Sequence, residues 1–137
     1  QAPRKPHQGG QYWAPIRGQF CAPIDTGGRT ALAQRFGPHI YSAQHVAAAK
    51  PAPDLALFAV ARLGVPPAEA VFIDDNIHGI HCARAAGCLA VGFVGPTDHR
   101  PDQAGVLRRA GADHVVHGAE ELLHLLCTLL PQHQAMA

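Results

Sequence analysis

From residue 36 onward short apolar runs alternate with longer Ala- and Leu-rich segments, and the two kinds of segment carry different periods. The runs at residues 70–73 and 89–94 are apolar without interruption and too short for helices, so they read as strands buried in a parallel sheet. Short runs at residues 39–42 and 114–116 read as further strands. Between and after them, amphipathic segments at residues 54–63, 77–86, 103–110 and 119–130 read as helices. In the last of these, Leu122, Leu125, Leu126 and Leu129 share one face, and Pro131 follows the helix.

The punctuation between segments supports the same division. Pro53 opens the first helix within its first turn, Asp54 favours its N-terminal dipole, and Gly64 closes it. Asn76 can cap the next helix, whose small residues Gly79, Cys82, Ala83 and Ala86 recur at helical spacing and permit close packing on a sheet. Gly87 ends that helix, and Gly111 ends the one after the Gly-Pro loop. The predicted architecture is α/β: a Rossmann-like parallel sheet flanked by helices. No internal repeat competes with it.

Residues 1–35 show neither period. They are dense in Pro, Gly and Gln and are expected to be irregular, leaving residues 36–130 as the organised unit and 131–137 as a tail. The chain opens on Gln rather than Met, which is taken to mean that a beginning is missing or was processed away.

With 47% hydrophobic and 15% charged residues in 137, the composition is that of a globular domain rather than a disordered chain. A formal charge of +1, with Lys and Arg scattered, gives no field for nucleic acid. Cys21, Cys82, Cys88 and Cys127 form no C-x-x-C pair and are read as reduced thiols of a cytoplasmic protein. No segment is apolar and long enough to span a bilayer, so no membrane partner is expected.

Candidate chemistry centres on two motifs. In V-F-I-D-D-N, Asp74 and Asp75 stand where an apolar strand runs out, and ligands of open α/β sheets bind beyond the carboxyl ends of strands. Such carboxylates suit Mg²⁺, which takes one or two together with water and phosphate oxygens. The alternative is a pair of solvated residues that favour the following helix dipole and bind nothing. In K-P-A-P-D, residues 50–54, Lys50 is held in a loop by two prolines, where its point charge can neutralise a phosphate; the alternative is a solvent-facing lysine at a helix entry. His78 and His81 fall at i and i+3 without an evident third ligand and are read as helix-surface histidines, and Asp98-His99 as loop residues.

The strings G-P-H-I-Y-S-A-Q-H-V-A-A-A-K-P-A-P-D and V-F-I-D-D-N-I-H-G-I-H-C-A-R-A-A-G resemble the haloacid dehalogenase-like (HAD) phosphatases, closest to the phosphoglycolate phosphatase and β-phosphoglucomutase branch. The resemblance spans roughly residues 37–126 and implies the C-terminal half of a HAD-like core, its N-terminal part and cap absent. It implies that Lys50 stabilises a phosphorylated aspartate and the transferring phosphoryl group. Asp74 and Asp75 would coordinate Mg²⁺, Asn76 and Gly79 would support the phosphate loop, and the substrate would be a small phosphorylated metabolite.

The family's D-x-D-G-T nucleophile motif does not occur. The nearest string, Asp25-Thr26-Gly27, lacks the second aspartate, and Ala14-Pro15-Ile16 stands where a phosphate-binding Ser or Thr would be expected. No residue is assigned as nucleophile, and the chain alone is expected to be inactive. A receiver-type domain carries its acidic pair before its lysine, the reverse of this order, and no G-x-G-x-x-G follows any strand, which disfavours a dinucleotide-binding oxidoreductase. The remaining alternative is a non-catalytic fragment acting through protein interaction, with self-association through an exposed sheet edge.

Overall fold

The computed structural model describes His39, Tyr41 and residues 43–129. After a 3₁₀ turn at Ala43–His45 come helix α1 (Asp54–Leu63), a second 3₁₀ turn (Pro67–Glu69), strand β1 (Val71–Asp74), helix α2 (Ile77–Ala86) and strand β2 (Leu89–Val94). Helix α3 (Gln103–Arg109), strand β3 (His114–His117) and helix α4 (Gly118–Leu129) complete the order.

The sheet has three strands in the order β1-β2-β3, all parallel. Val71 stands opposite Leu89 and Asp74 opposite Gly92; Val91 stands opposite His114 and Val94 opposite His117. Parallel neighbours need a crossover, which α2 supplies between β1 and β2 and α3 between β2 and β3. The expected α/β Rossmann-like sheet with flanking helices is therefore observed.

The caps explain where the helices stop. Gly64 and Gly87 adopt left-handed conformations at φ 72° and 84° and turn their N–H groups back on the last helical carbonyls. Asn76 caps α2 by accepting the N–H of His78 at 2.9 Å. Close packing of α2 follows from its small residues: Gly79, Cys82, Ala83 and Ala86 are all buried, around an Ile80 that is fully enclosed. Leu55, Leu107 and Val91 contribute the other large enclosed side chains.

Several expectations need correction. The strand near residue 70 lies one position later, because Ala70 instead closes the preceding 3₁₀ turn through its N–H to Pro67. Its apolar residues are half-buried rather than buried, since among the described residues β1 pairs on one side only and Phe72 and Ile73 line an open cavity. Of the strand expected at residues 39–42, only His39 and Tyr41 are described and neither is in a strand. Tyr41 packs its ring edge against Phe58 of α1 at 5.3 Å instead. Pro53 caps α1 rather than occupying its first turn, α4 begins one residue early at Gly118, and β3 extends to His117. The expectations for residues 1–35 and 131–137, including Asp25-Thr26-Gly27 and Ala14-Pro15-Ile16, lie outside the described residues.

Candidate functional site

The loop before α1 aims Lys50 back across the end of β1. Asp54, in the first turn of α1, accepts the N–H of Ala48 at 3.2 Å and so ties the loop to the helix, and the Lys50–Pro51 peptide is cis. Lys50 Nζ reaches Asp74 Oδ2 at 2.5 Å, a contact between residues 24 apart in sequence. The ammonium also lies 5.8 Å from the ring centroid of Phe72, an attractive face for a cation.

Asp74 is therefore not a solvated strand-end residue. Its side chain is 5% exposed, and its other oxygen, Oδ1, accepts the N–H of Asn76 at 2.9 Å. A buried carboxylate needs such partners, because desolvating an unpaired charge is costly. Gly79, one turn into α2, supplies the space: a β-carbon there would stand 2.1 Å from Asp74 Cγ. The absent side chain of Gly79 and the capping residue Asn76 thus both act on the position of Asp74.

Asp75 faces a different set of partners. Its side chain is 35% exposed, and Arg100 Nη2 approaches its Oδ2 at 3.4 Å. The main-chain oxygen of Asp75 is held more firmly, accepting from Arg100 Nη2 at 3.0 Å and from Gln103 Nε2 at 2.9 Å. Arg100 in turn rests on Asp98, whose two oxygens receive Nε at 2.9 Å and Nη2 at 2.5 Å. The guanidinium hydrogen bonds hold the Asp98 carboxyl well below its ordinary range, at about 2.

These groups surround one cavity of about 750 Å³ at the carboxyl end of β1 and β2. Lys50, Asp74, Asp75, Asp98 and Arg100 supply its charge, and Phe72, Ile73, Phe93 and Leu122 its apolar wall. Loops that follow adjacent parallel strands meet at such a crevice. The expected residues Lys50, Asp74 and Asp75 all stand there. Asp98, a loop residue by its sequence context, stands there too, while Arg100 and Gln103 belong to neither motif. The signal available for them was position, since they follow the strand next to the one that ends in Asp74.

His78 and His81 are exposed on α2, and among the described residues no three His, Cys, Asp or Glu side chains gather as a metal cluster. Asp74 and Asp75 offer hard oxygen donors, and the cationic nitrogen against Asp74 marks a place where positive charge is already held. That donor set fits a hard divalent cation completed by water and ligand oxygens.

An α/β unit with a charged crevice at the carboxyl end of a parallel sheet is the class that the geometry defines. Residues 29–93 match the model of the haloacid dehalogenase-like hydrolases. The chain is 38% identical over 77 residues to the fructose-1-phosphate phosphatase YqaB of Escherichia coli (strain K12), and 42% identical over 80 residues to the β-phosphoglucomutase of Mycobacterium bovis. Those matches take in 50% and 58% of this chain but only 41% and 30% of the relatives, so the chain spans less than half of either. Among solved structures, a HAD family hydrolase from Deinococcus radiodurans R1, crystallised with bound phosphate and sodium, superposes with a TM-score of 0.67 at 36% identity. The superposition covers 72% of this chain and 44% of that one. A haloacid dehalogenase-like protein from Agrobacterium tumefaciens gives 0.65 at 34% identity, covering 77% and 51%. The described unit is thus an α/β segment similar to the haloacid dehalogenase-like hydrolases, the resemblance its two motifs carry.

Proposed function

We propose that residues 36–130 form the C-terminal half of a Mg²⁺-dependent HAD-like phosphatase core acting on a small phosphorylated metabolite of the sugar-phosphate class. The observation that carries this reading is the 2.5 Å pair between Lys50 and Asp74, which joins the two motifs in one crevice. Fructose-1-phosphate phosphatase and β-phosphoglucomutase among the relatives, and bound phosphate in a similar solved structure, support the substrate class.

Charge supports the cation. The crevice holds the cations Lys50 and Arg100 against the carboxylates Asp74, Asp75 and Asp98, an excess of one negative charge. A phosphate dianion entering such a site is repelled until further positive charge joins it. Asp74 and Asp75 would hold Mg²⁺, which when bound neutralises charge at a phosphoryl centre. Lys50 would donate to the phosphoryl oxygens from its place beside Asp74, while Asn76 and Gly79 keep the Asp74 carboxylate where Lys50 meets it. The free thiols Cys82, Cys88 and Cys127 fit a cytoplasmic setting. Among the described residues no helix is long and apolar enough to cross a membrane.

No D-x-D sequence occurs in the 137 residues, so a chain of this sequence is expected to bind phosphate without turning over a phosphomonoester. The same absence favours a second reading, a non-catalytic unit that acts by protein interaction and self-associates through the edge of β1; light scattering showing a clean monomer would count against it. The decisive experiment combines Mg²⁺-dependent phosphate release from p-nitrophenyl phosphate and a hexose phosphate with calorimetric titration of inorganic phosphate. Wild type is compared with Lys50→Ala and Asp75→Ala. Phosphate binding that needs Mg²⁺ and is lost in both variants supports the site; binding unaffected by either substitution, or none in wild type, overturns it. Turnover in wild type means that a nucleophile lies within the chain.

A further inference from the structure

We propose that Arg100 and Gln103 are positioning residues for Asp75, fixing the main chain from which its carboxylate projects toward the cation. This rests on the reading of Asp75 as a metal ligand given above. The geometry is specific. A main-chain carbonyl has two lone pairs, and both on Asp75 are taken, one by Arg100 Nη2 at 3.0 Å and one by Gln103 Nε2 at 2.9 Å. Only the nitrogen end of a side-chain amide can face a carbonyl oxygen, which settles which way Gln103 points.

Each donor is itself held. Gln103 is 8% exposed, unusual for its type, at the first position of α3. Arg100 is braced by Asp98, which receives its Nε and Nη2 and also its main-chain N–H at 3.1 Å. Asp98 is anchored through its own N–H to the carbonyl of Gly95 at 3.1 Å. The loop after β2 and the start of α3 thereby grip the turn after β1 at Asp75, the residue whose carboxylate faces the cavity. A contact serving packing alone would not need two donors, one of them charged and braced, converging on one carbonyl. Groups that hold a metal ligand in place commonly contribute about 10-fold or more to metal affinity.

The test uses the full chain and Mn²⁺ as the probe, with free Mn²⁺ followed by its electron paramagnetic resonance signal and Mg²⁺ added in competition. Gln103→Leu and Arg100→Lys leave the net charge unchanged, so neither alters affinity through long-range electrostatics. Each is expected to weaken Mn²⁺ binding by about 10-fold, and the double variant further. Arg108→Lys, on the exposed side of α3, is expected to bind like wild type. All measurements are made where circular dichroism shows every variant folded, so a loss of stability alone does not change the readout. If wild type binds, Asp75→Asn does not, and both Gln103→Leu and Arg100→Lys match wild type, the positioning role is overturned while the metal-ligand reading stands. If Asp75→Asn binds as wild type does, or wild type does not bind, the metal-ligand reading fails and takes the positioning role with it.

Discussion

A β-carbon on Gly79 would stand 2.1 Å from the carboxyl carbon of Asp74 and 2.4 Å from its β-carbon. The second distance matters more, because a β-carbon cannot rotate away. Gly79→Ala therefore requires β1 and α2 to separate, at about 1–3 kcal/mol for overpacking a filled site. Alanine's helix propensity returns about 1 kcal/mol. The expected net change is a loss of up to about 2 kcal/mol, read from the midpoint of urea unfolding; a variant more stable than wild type contradicts it.

Lys50→Ala leaves the Asp74 carboxylate, 5% exposed, without its cation and with only the Asn76 N–H as a described partner. Breaking a buried ion pair from one side costs about 3 kcal/mol or more, and the 19% exposure of Lys50 places this pair at the low end. Asp74→Ala removes the charge that needs compensation, so the double variant should be less destabilised than the sum of the singles. A double-mutant cycle by urea unfolding checks this, and strict additivity would show that the two groups do not interact.

The pair also shows what sequence patterning could and could not deliver. Helix ends at Gly64, Asn76 and Gly87 were legible because each uses a backbone preference that one residue type satisfies locally. Lys50, Asp74 and Asp75 were legible through motif order, which a linear reading preserves. The burial of Asp74 was not, since it depends on Gly79 vacating space from another element, and a carboxylate at a strand end ordinarily reads as solvated. The roles of Arg100 and Gln103 were not legible either. Their partner, the main-chain oxygen of Asp75, has no side-chain identity for a pattern to register. The half-burial of β1 depended on neighbours in the sheet, not on its own apolar run.

Asp98 makes stability depend on pH in a defined window. Its carboxyl is held at about 2 in the folded protein by the Arg100 guanidinium and main-chain N–H, against about 3.9 when unfolded. A depressed carboxylate contributes stability that is fully present above the unfolded value and is lost as pH falls through the folded one. Wild type should therefore lose its advantage over Asp98→Asn as pH falls from about 4 to about 2, the two unfolding midpoints converging. Taking the difference between proteins removes the other carboxylates that titrate in the same range. A gap that stays constant across the window would place the stabilisation elsewhere.

Thiol reactivity should separate the described cysteines into two classes. Cys82 and Cys88 are buried and free, and burial pushes both thiols up from their ordinary range, leaving less thiolate to react. Cys127 is exposed on α4. Brief alkylation at neutral pH, resolved peptide by peptide by mass spectrometry, should label Cys127 first and reach Cys82 and Cys88 only with denaturant. Equal labelling of Cys82 in the native state would mean that the packing of α2 on the sheet opens readily.

Asp113 and Arg84 touch each other, yet substitution should affect them unequally. Asp113 clasps Ala90 at two points: its N–H donates to the Ala90 carbonyl at 2.8 Å, and its Oδ2 accepts the Ala90 N–H at 2.8 Å. Ala90 is fully buried in β2, so removing the acceptor leaves a main-chain donor with no water to replace it. That omission costs about 1–3 kcal/mol, and Asp113→Ala is expected to fall in this range. Arg84 approaches Asp113 Oδ1 at 3.4 Å with half of its side chain in solvent, and exposed pairs contribute about 1 kcal/mol or less. Arg84→Ala should therefore unfold close to wild type even though it removes the ion pair. Asp113→Asn separates the two contributions, since its amide oxygen can still accept from Ala90 while the charge is gone. If Asp113→Asn is as unstable as Asp113→Ala, the ion pair and not the clasp on β2 is what holds the loop between α3 and β3.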